Sequence, residues 1–316
     1  MSSATELRLN VAAASTELRL NVAAASVAGF VQPLIFNPLD CLRIRWQVAS
    51  NMGHRTPFTF ARDIVAKEGV LRGLCLPGQP YNSFAVALSQ GLRLGLYPSV
   101  RDRLLSMRST DGKAAVMQPE TLLAGFLSGS LAYFLSAPLW LLKTRAQAAA
   151  QLGALAVAPP PTRLSSYWVG CGPLVLRGAL INAGWTSGYD AMKRLLPRSG
   201  LSVVREDGPL LHICAGSAAG VGAATLSAPA DVLQTAMQSH RSRVDDGLGA
   251  TRARAAMHGN PPPLVVTCLR EIYASGGLGG FYRGWGIGVA RLMPTAVVGS
   301  LIYEECRRLL SIGYTS

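Results

Sequence analysis

Apolar residues dominate six long segments of this chain, and shorter polar stretches separate them. At about 1.5 Å per residue, each segment can cross a hydrocarbon layer of about 30 Å as a helix. The predicted spans are 22–47, 79–106, 119–148, 171–196, 209–238 and 285–311. Two amphipathic segments, 58–68 and 263–274, are expected on the membrane surface. The pattern therefore predicts an all-α membrane protein with six transmembrane helices.

The same organisation recurs three times along the chain. One motif reads NPLDCLRIRWQ, APLWLLKTRAQ and APADVLQTAMQ, and its prolines are Pro38, Pro138 and Pro229. A second motif reads YPSVR, YDAMK and YEECR, and a glycine precedes the residue after each tyrosine by twenty positions. A proline inside a helix removes a backbone hydrogen bond, so each first motif predicts a kink. We divide the chain into an N-terminal extension, 1–21, and three repeats, 22–110, 111–200 and 201–316.

The N-terminal extension contains the first of two tandem copies of an eleven-residue segment. TELRLNVAAAS occupies 5–15 and again 16–26. Each copy contains a glutamate, Glu6 or Glu17, whereas transit peptides are poor in acidic residues. We therefore expect any targeting signal to lie elsewhere in the chain.

Composition and charge narrow the function. Charged residues make up 15% of the chain and apolar residues 49%, whereas soluble domains carry about 25% charge. The net charge of +13 on so apolar a chain favours anionic lipid or an anionic solute over nucleic acid as partner. The six cysteines form no CxxC pair and the four histidines show no ligand spacing, so no metal site or cofactor is predicted. The sequence also lacks a nucleophile motif and a phosphate-binding loop, so an enzyme is not expected.

These motifs resemble those of the mitochondrial carrier family over residues 22–311. The first is similar to the family's Pro-x-acid-x-x-base-x-base motif, and the second to its aromatic-acid-x-x-base motif. The resemblance implies a monomeric barrel of six helices with threefold pseudosymmetry and short surface helices on the matrix side. It also implies a multi-pass protein of the mitochondrial inner membrane, with peroxisomal and plastid membranes left open.

By resemblance, the acid of each first motif pairs with the base of the next repeat at a matrix gate. Asp40 is then expected to pair with Lys143, and Asp231 with Arg43. The third pair is Trp140 with Gln234, which cannot be ionic. A glutamine follows each base position by four residues and is expected to brace these pairs from one helical turn away. The three glutamines are Gln47, Gln147 and Gln238.

The second motif supplies a cytoplasmic gate in the same way. Asp190 is expected to pair with Arg307, and Glu304 with Arg101. Pro98 stands where the first repeat should carry its acid, so one base has no partner. The remaining members of this gate are Lys193, Tyr189 and Tyr303.

Arginines at the centre of the even-numbered spans are the candidate substrate-binding residues. The family's contact level falls on Ala85, Arg177 and Arg291, with Gly178 next to the second and Arg93 on the face of the first. No acid lies near the arginines in their own segments, so we expect them to face a watery cavity. Guanidinium groups bind carboxylate, sulfate or phosphate through paired hydrogen bonds. The phrase GLRLGLY further resembles the dicarboxylate, oxoglutarate, oxaloacetate and uncoupling-protein branches.

Glycine-ended turns before the even-numbered spans are candidate lipid sites. Tyr282-Arg283-Gly284 resembles the family's cardiolipin-binding pattern, and Gly170 holds the same place in the second repeat. A helix N-terminus attracts phosphate through its free N–H groups.

The sequence therefore predicts transport of a small anion, most consistent with a di- or keto-carboxylate, by alternating access. Whether transport is exchange or uniport stays open. Eroded motif positions at Trp140, Gln234, Ala236 and Pro98 keep a non-transporting membrane adaptor as an alternative. An uncoupling-type proton leak is a second alternative.

Overall fold

A computed structural model describes residues 2–49, 56–107, 119–152, 164–195, 209–239 and 265–309. These residues form helices and turns, with no strand among them. The six long helices are α1 (Ser2–Val48), α3 (Gln79–Met107), α4 (Pro119–Leu152), α5 (Cys171–Leu195), α6 (Pro209–Ser239) and α8 (Trp285–Leu309). The two shorter helices are α2 (Pro57–Val70) and α7 (Val265–Gly276).

Each predicted span coincides with one of the long helices, but α1 starts much earlier than expected. It runs without interruption from Ser2, so the tandem copy is part of the same helix as the first span. The copies contain alanine, leucine, arginine and glutamate, which favour helix, and no glycine or proline. The helix therefore has no reason to begin at residue 22.

The long helices form a closed ring in the described part of the chain. Each packs against its neighbours in chain order, and α8 returns to pack against α1. Helices approach closely where small residues meet. A Cβ atom on Gly184 would lie 2.5 Å from the carbonyl oxygen of Gly222, and one on Gly29 would lie 2.9 Å from that of Val86. Such contacts let backbones pack without intervening side chains.

The two short helices cover one end of the ring, here called the α2/α7 end. Phe60 and Ile64 of α2 are buried beneath α1. Cys268 and Ile272 of α7 are buried against α6. The opposite faces carry exposed apolar side chains, among them Phe58, which is 78% exposed. Both helices are therefore amphipathic, as the sequence pattern predicts.

Two helices are long and apolar enough to cross a membrane by length and composition alone, within the residues that the structure describes. These stretches are Leu18–Val48 and Leu123–Gln151. Their outer faces expose apolar side chains such as Leu34 and Phe126. Pro38, Pro138 and Pro229 lie inside α1, α4 and α6, where the sequence predicts kinks.

A glycine in the left-handed backbone conformation directly precedes each of the helices α3, α5 and α8. Gly78, Gly170 and Gly284 have φ angles of 66°, 75° and 82°. Each carbonyl accepts the first hydrogen bond of its helix, for example from Asn82 N at 2.9 Å. A side chain on Gly78 would also lie 2.8 Å from the carbonyl oxygen of Lys143. Glycine is therefore required here by both conformation and space.

We expect Gly78→Ala to lower the free energy of unfolding by about 2 kcal/mol, because the left-handed conformation and the contact with α4 both oppose a Cβ atom. Gly172→Ala is the control, since a Cβ there meets nothing within 4 Å. Thermal unfolding in detergent measures both variants. Equal midpoints for the two would contradict the conformational requirement.

Candidate functional site

Two buried aspartates near the α2/α7 end each contact two cations. Asp40 on α1 is 3% exposed. Its Oδ2 lies 2.5 Å from Lys143 Nζ, and its Oδ1 accepts a hydrogen bond from Arg291 Nη1 at 2.8 Å. One carboxylate therefore joins α1 to α4 and α8 at once.

Asp231 on α6 repeats this arrangement with other partners. Its Oδ2 forms an ion pair with Arg43 and accepts a hydrogen bond from Gln47 Nε2 at 2.8 Å. Its Oδ1 lies 2.8 Å from Arg177 Nε in a second ion pair. Asp231 consequently joins α6 to α1 and α5.

Both ion pairs expected at the predicted matrix gate are thus formed. Arg177 and Arg291 do have acidic partners, because neighbouring helices bring Asp231 and Asp40 to them. Arg291 and Asp40 are 251 residues apart in sequence. Inspection of each segment alone could not find such a partner.

The cluster contains more positive than negative charge. Four cations contact two carboxylates, so two positive charges remain in excess. Burial makes an unbalanced charge costly unless other polar groups or a ligand compensate it. The cluster is therefore suited to an anion with more than one charge.

The third gate position is aromatic. Trp140 is 6% exposed, with Lys143 Nζ 4.6 Å and Arg177 Cζ 5.6 Å from its ring centroid. Both distances fall within the range of cation–π contact. Its expected partner, Gln234, donates a hydrogen bond to Gln238 Oε1 at 3.1 Å. The indole ring thus faces two cations of the neighbouring pairs.

Two of the three predicted glutamine braces contact gate positions directly. Gln47 donates to Asp231 and accepts from Thr235 Oγ1 at 2.8 Å. Gln238 accepts from Gln234 and from Thr144 Oγ1 at 2.8 Å. Their bracing role remains a prediction.

The third predicted brace, Gln147, contacts an asparagine that the sequence analysis missed. Gln147 donates to Asn37 Oδ1 at 3.2 Å. Asn82 donates to the same oxygen at 2.9 Å and to Asp40 Oδ2 at 3.1 Å. Asn37 in turn donates to the carbonyl of Cys75 at 2.6 Å. The signal was present, because the other two repeats carry alanine where the first carries Asn37.

The remaining predicted substrate contacts lie in packed surroundings. Arg93 Nη1 donates to Asn182 Oδ1 at 3.1 Å. Ala85 is fully buried, and a Cβ on Gly178 would lie 2.2 Å from the ring of Tyr133. Neither Ala85 nor Gly178 faces open space in this conformation, and their role in substrate binding remains a prediction. A narrow crevice instead reaches Arg177, Arg43 and Asp231 between α1, α5, α6 and α8.

Only Arg101 of the predicted cytoplasmic gate has a described side chain. Its Nη2 lies 2.9 Å from Asp102 Oδ1, and its guanidinium lies 5.9 Å from the Tyr97 ring centroid. The structure describes only the backbone at the other positions of this gate, so their predicted contacts lie outside the described side chains. These positions are Pro98, Tyr189, Asp190, Lys193, Tyr303, Glu304 and Arg307.

Comparison with known proteins places this architecture in a family. The family model described as mitochondrial carrier protein matches residues 15–108 and 205–313. The chain belongs to the mitochondrial carrier family. This confirms the resemblance of the repeated motifs, and members of this family transport small solutes.

The sequences of several relatives align with nearly the whole carrier. The mitochondrial substrate carrier family protein ucpB of Dictyostelium discoideum is 23% identical over 289 residues, covering 88% of this chain and 92% of its own. Mitochondrial brown fat uncoupling protein 1 of Rattus norvegicus is 25% identical over 304 residues, covering 90% of each chain. The mitochondrial oxaloacetate transport protein of Saccharomyces cerevisiae is 22% identical over 308 residues, covering 90% of this chain and 87% of its own.

The predicted lipid-binding turn of the carrier is held by internal contacts. A guanidinium nitrogen of Arg283 donates to the carbonyl of Ala49, and the backbone carbonyl of Arg283 accepts from Gln47 at 3.2 Å. Gly284 and Gly170 occupy the left-handed turns described above. Cardiolipin binding at these turns remains a prediction.

Arg45, the second base of the proline motif in the first repeat, also has a partner that the sequence analysis missed. Arg45, 2% exposed, donates through both terminal nitrogens to Glu68 of α2, at 2.6 and 2.7 Å. It also donates to the Gly73 carbonyl at 2.7 Å. These hydrogen bonds from Arg45 lower the pKa of the Glu68 carboxyl below its ordinary value. This ion pair connects α2 to α1.

We expect Glu68→Gln to lower the stability of the carrier by about 1 kcal/mol at pH 7, a modest figure because solvent screens the partly exposed carboxylate. A lowered pKa stabilises the fold above the ordinary glutamate pKa of 4.5, and this contribution disappears as the pH falls through the lower folded-state pKa. The difference between wild type and variant should therefore shrink towards zero on acidification. Thermal unfolding in a pH series from 7 down to 3 measures it.

Glu271→Gln on α7 is the matched control, because Glu271 is exposed on the other surface helix. A pH-independent gap for Glu68→Gln, or an equal gap for the control, would contradict the role of this pair.

Proposed function

We propose that this carrier transports a small dicarboxylate dianion across the mitochondrial inner membrane by alternating access. The observation that supports it is the excess of two positive charges around Asp40 and Asp231. Two carboxylates of a solute would balance that excess. The named activity of the yeast relative, oxaloacetate transport, belongs to this chemical class.

The proposed architecture is a monomeric barrel of six transmembrane helices with threefold pseudosymmetry. The closed ring of long helices supports it, and so do the three glycine turns at equivalent positions. The three repeats are proposed as 22–110, 111–200 and 201–316, with α2 and α7 on the matrix surface. The ion pairs at the α2/α7 end then close the matrix side in this conformation.

Arg177 and Arg291 provide the proposed link between solute and matrix gate. Each already binds a carboxylate oxygen of the protein, at 2.8 Å from Asp231 and from Asp40 respectively. A solute carboxylate can replace each aspartate on its arginine with the same geometry. Each aspartate then retains one cation instead of two.

This exchange gives binding energy a route to gate opening. The exchange removes an ion pair at Asp231 and a charged hydrogen bond at Asp40, and the hydrogen bond alone contributes about 1.5–3 kcal/mol net to the closure. The solute contacts compensate the loss only while the solute is bound. Binding therefore shifts the population towards the conformation open to the matrix.

We expect succinate or oxaloacetate to raise the unfolding midpoint of the purified carrier, because a ligand that binds the folded state stabilises it by about 2.7 kcal/mol at one hundred times its Kd. Arg177→Ala and Arg291→Ala should each abolish that shift. Arg103→Ala, an exposed arginine of α3, is the control and should retain it. The panel also contains sulfate, phosphate, nucleotides and amino acids.

The result separates the alternatives. A shift with a dianion that both arginine variants abolish supports the proposal. A shift that survives in both variants would place the solute elsewhere. A well-folded protein that responds to no anion would contradict transport of an anion and favour the membrane adaptor.

Proton leak is the second candidate, because the rat relative is an uncoupling protein that aligns over 304 residues. Reconstituted vesicles with a trapped pH indicator distinguish the two. We expect labelled succinate to enter vesicles loaded with unlabelled succinate without acidification. Proton flux under a membrane potential with no succinate uptake would favour the uncoupling function instead.

A further inference from the structure

The first motif carries an acid at Asp40 and Asp231 but an aromatic residue at Trp140, although all three positions are equivalent in sequence. We propose that Trp140 completes the matrix gate through cation–π contact with Lys143 and Arg177, and that its lack of charge sets the preferred solute charge at two. The second half of this inference rests on the proposed function. The first half concerns the protein without a ligand.

The ring is placed where a carboxylate would otherwise lie. Lys143 Nζ and Arg177 Cζ are 4.6 and 5.6 Å from its centroid, and each cation also contacts an aspartate. The aromatic face is negative, so it attracts both cations without adding a charge. Trp140 therefore bridges the two ion pairs that Asp40 and Asp231 form separately.

Trp140 contacts the two cations through its ring and not through its indole N–H. Among the described residues Trp140 Nε1 has no hydrogen-bond partner. Ala85 and Leu174, both fully buried, pack with the ring, and the Tyr133 ring lies 6.3 Å away. Packing on these side chains holds the indole in place, within cation–π distance of Lys143 and Arg177.

An uncharged third position changes the charge that a solute must bring. Glutamate at position 140 would cancel one of the two excess positive charges. Tryptophan leaves both in place and still holds the cations together. A dianion then balances the cluster, whereas a monoanion of the same size leaves one positive charge uncompensated.

The ligand-free test compares Trp140→Phe with Trp140→Leu. Only phenylalanine keeps an aromatic face, and leucine also leaves a larger cavity, a difference that is the same in every background. We expect the leucine variant to unfold roughly 2–6 °C below the phenylalanine variant. In a Lys143→Met background this gap should shrink, because one of the two cations is gone while the cavity difference is unchanged.

Arg145→Met is the matched background, since Arg145 lies two residues from Lys143 and donates to the Gln238 carbonyl at 3.2 Å. The gap should be unchanged there. A gap that persists in full with Lys143→Met would overturn the cation–π contact, and so would equal midpoints for the phenylalanine and leucine variants.

The charge test compares succinate with succinamate, its monoamide, by thermal shift. Wild type and Trp140→Leu should both prefer succinate, because neither carries a charge at position 140. Trp140→Glu should reduce that preference by roughly tenfold, the effect of about 1.4 kcal/mol of lost charge complementarity. Gln234→Glu adds the same charge almost isosterically at the partner position, in case the first variant does not fold.

An unchanged succinate preference in every folded glutamate variant would overturn the role of Trp140 in charge selection. A wild-type protein that binds neither succinate nor succinamate would instead contradict the proposed function. The ligand-free gap would still test the contact with Lys143, so the two failures are distinguishable.

Discussion

Two buried carboxylates, each shared by two cations, hold the ring of helices together. Asp40 on α1 joins α4 and α8, and Asp231 on α6 joins α1 and α5. The remaining long helix, α3, contacts Asp40 through a hydrogen bond that Asn82 donates. A carboxylate buried with one partner would be poorly compensated, so the second cation and the amides supply the solvation that water no longer gives. The same contacts are those that a competing anion can replace.

The repeats achieve a similar attachment of their surface helices with different chemistry. In the first repeat, Arg45 and Glu68 form a charged link. In the third, Ala236 replaces the base, and Ser275 stands before a glycine as Glu68 does. Ala236 and Phe281 pack there with an apolar cluster of α6 and α7. Well-packed apolar groups can replace a buried ion pair without loss of stability, whereas loss of one partner alone is costly. The third repeat lacks both the base and the acid, so neither charge is left without its partner there.

Periodicity and repeated motifs predicted the long helices and the glycine turns. The resemblance to the carrier family predicted the pairs Asp40–Lys143 and Asp231–Arg43, because it implies that the acid of one repeat pairs with the base of the next. Motifs and resemblance together were sufficient for these features. They could not predict that Arg177 and Arg291 reach those same carboxylates, since side-chain reach between helices is not encoded in segment spacing. The start of α1 was also missed, although the sequence has no glycine or proline before Gly29 that would interrupt a helix. The contacts of Trp140 depended on packing between three helices.

The unbroken course of α1 through its tandem copy has a geometric consequence. Eleven residues at about 100° per residue complete three turns with an error of only about 20°. Duplication of the segment 16–26 thus extends the rod by about 16.5 Å while leaving the angular phase of everything downstream almost unaltered. An insertion of nine or thirteen residues would have rotated the added segment by about 180° or about 140° relative to the rest. The copy number can change here without rephasing the helix.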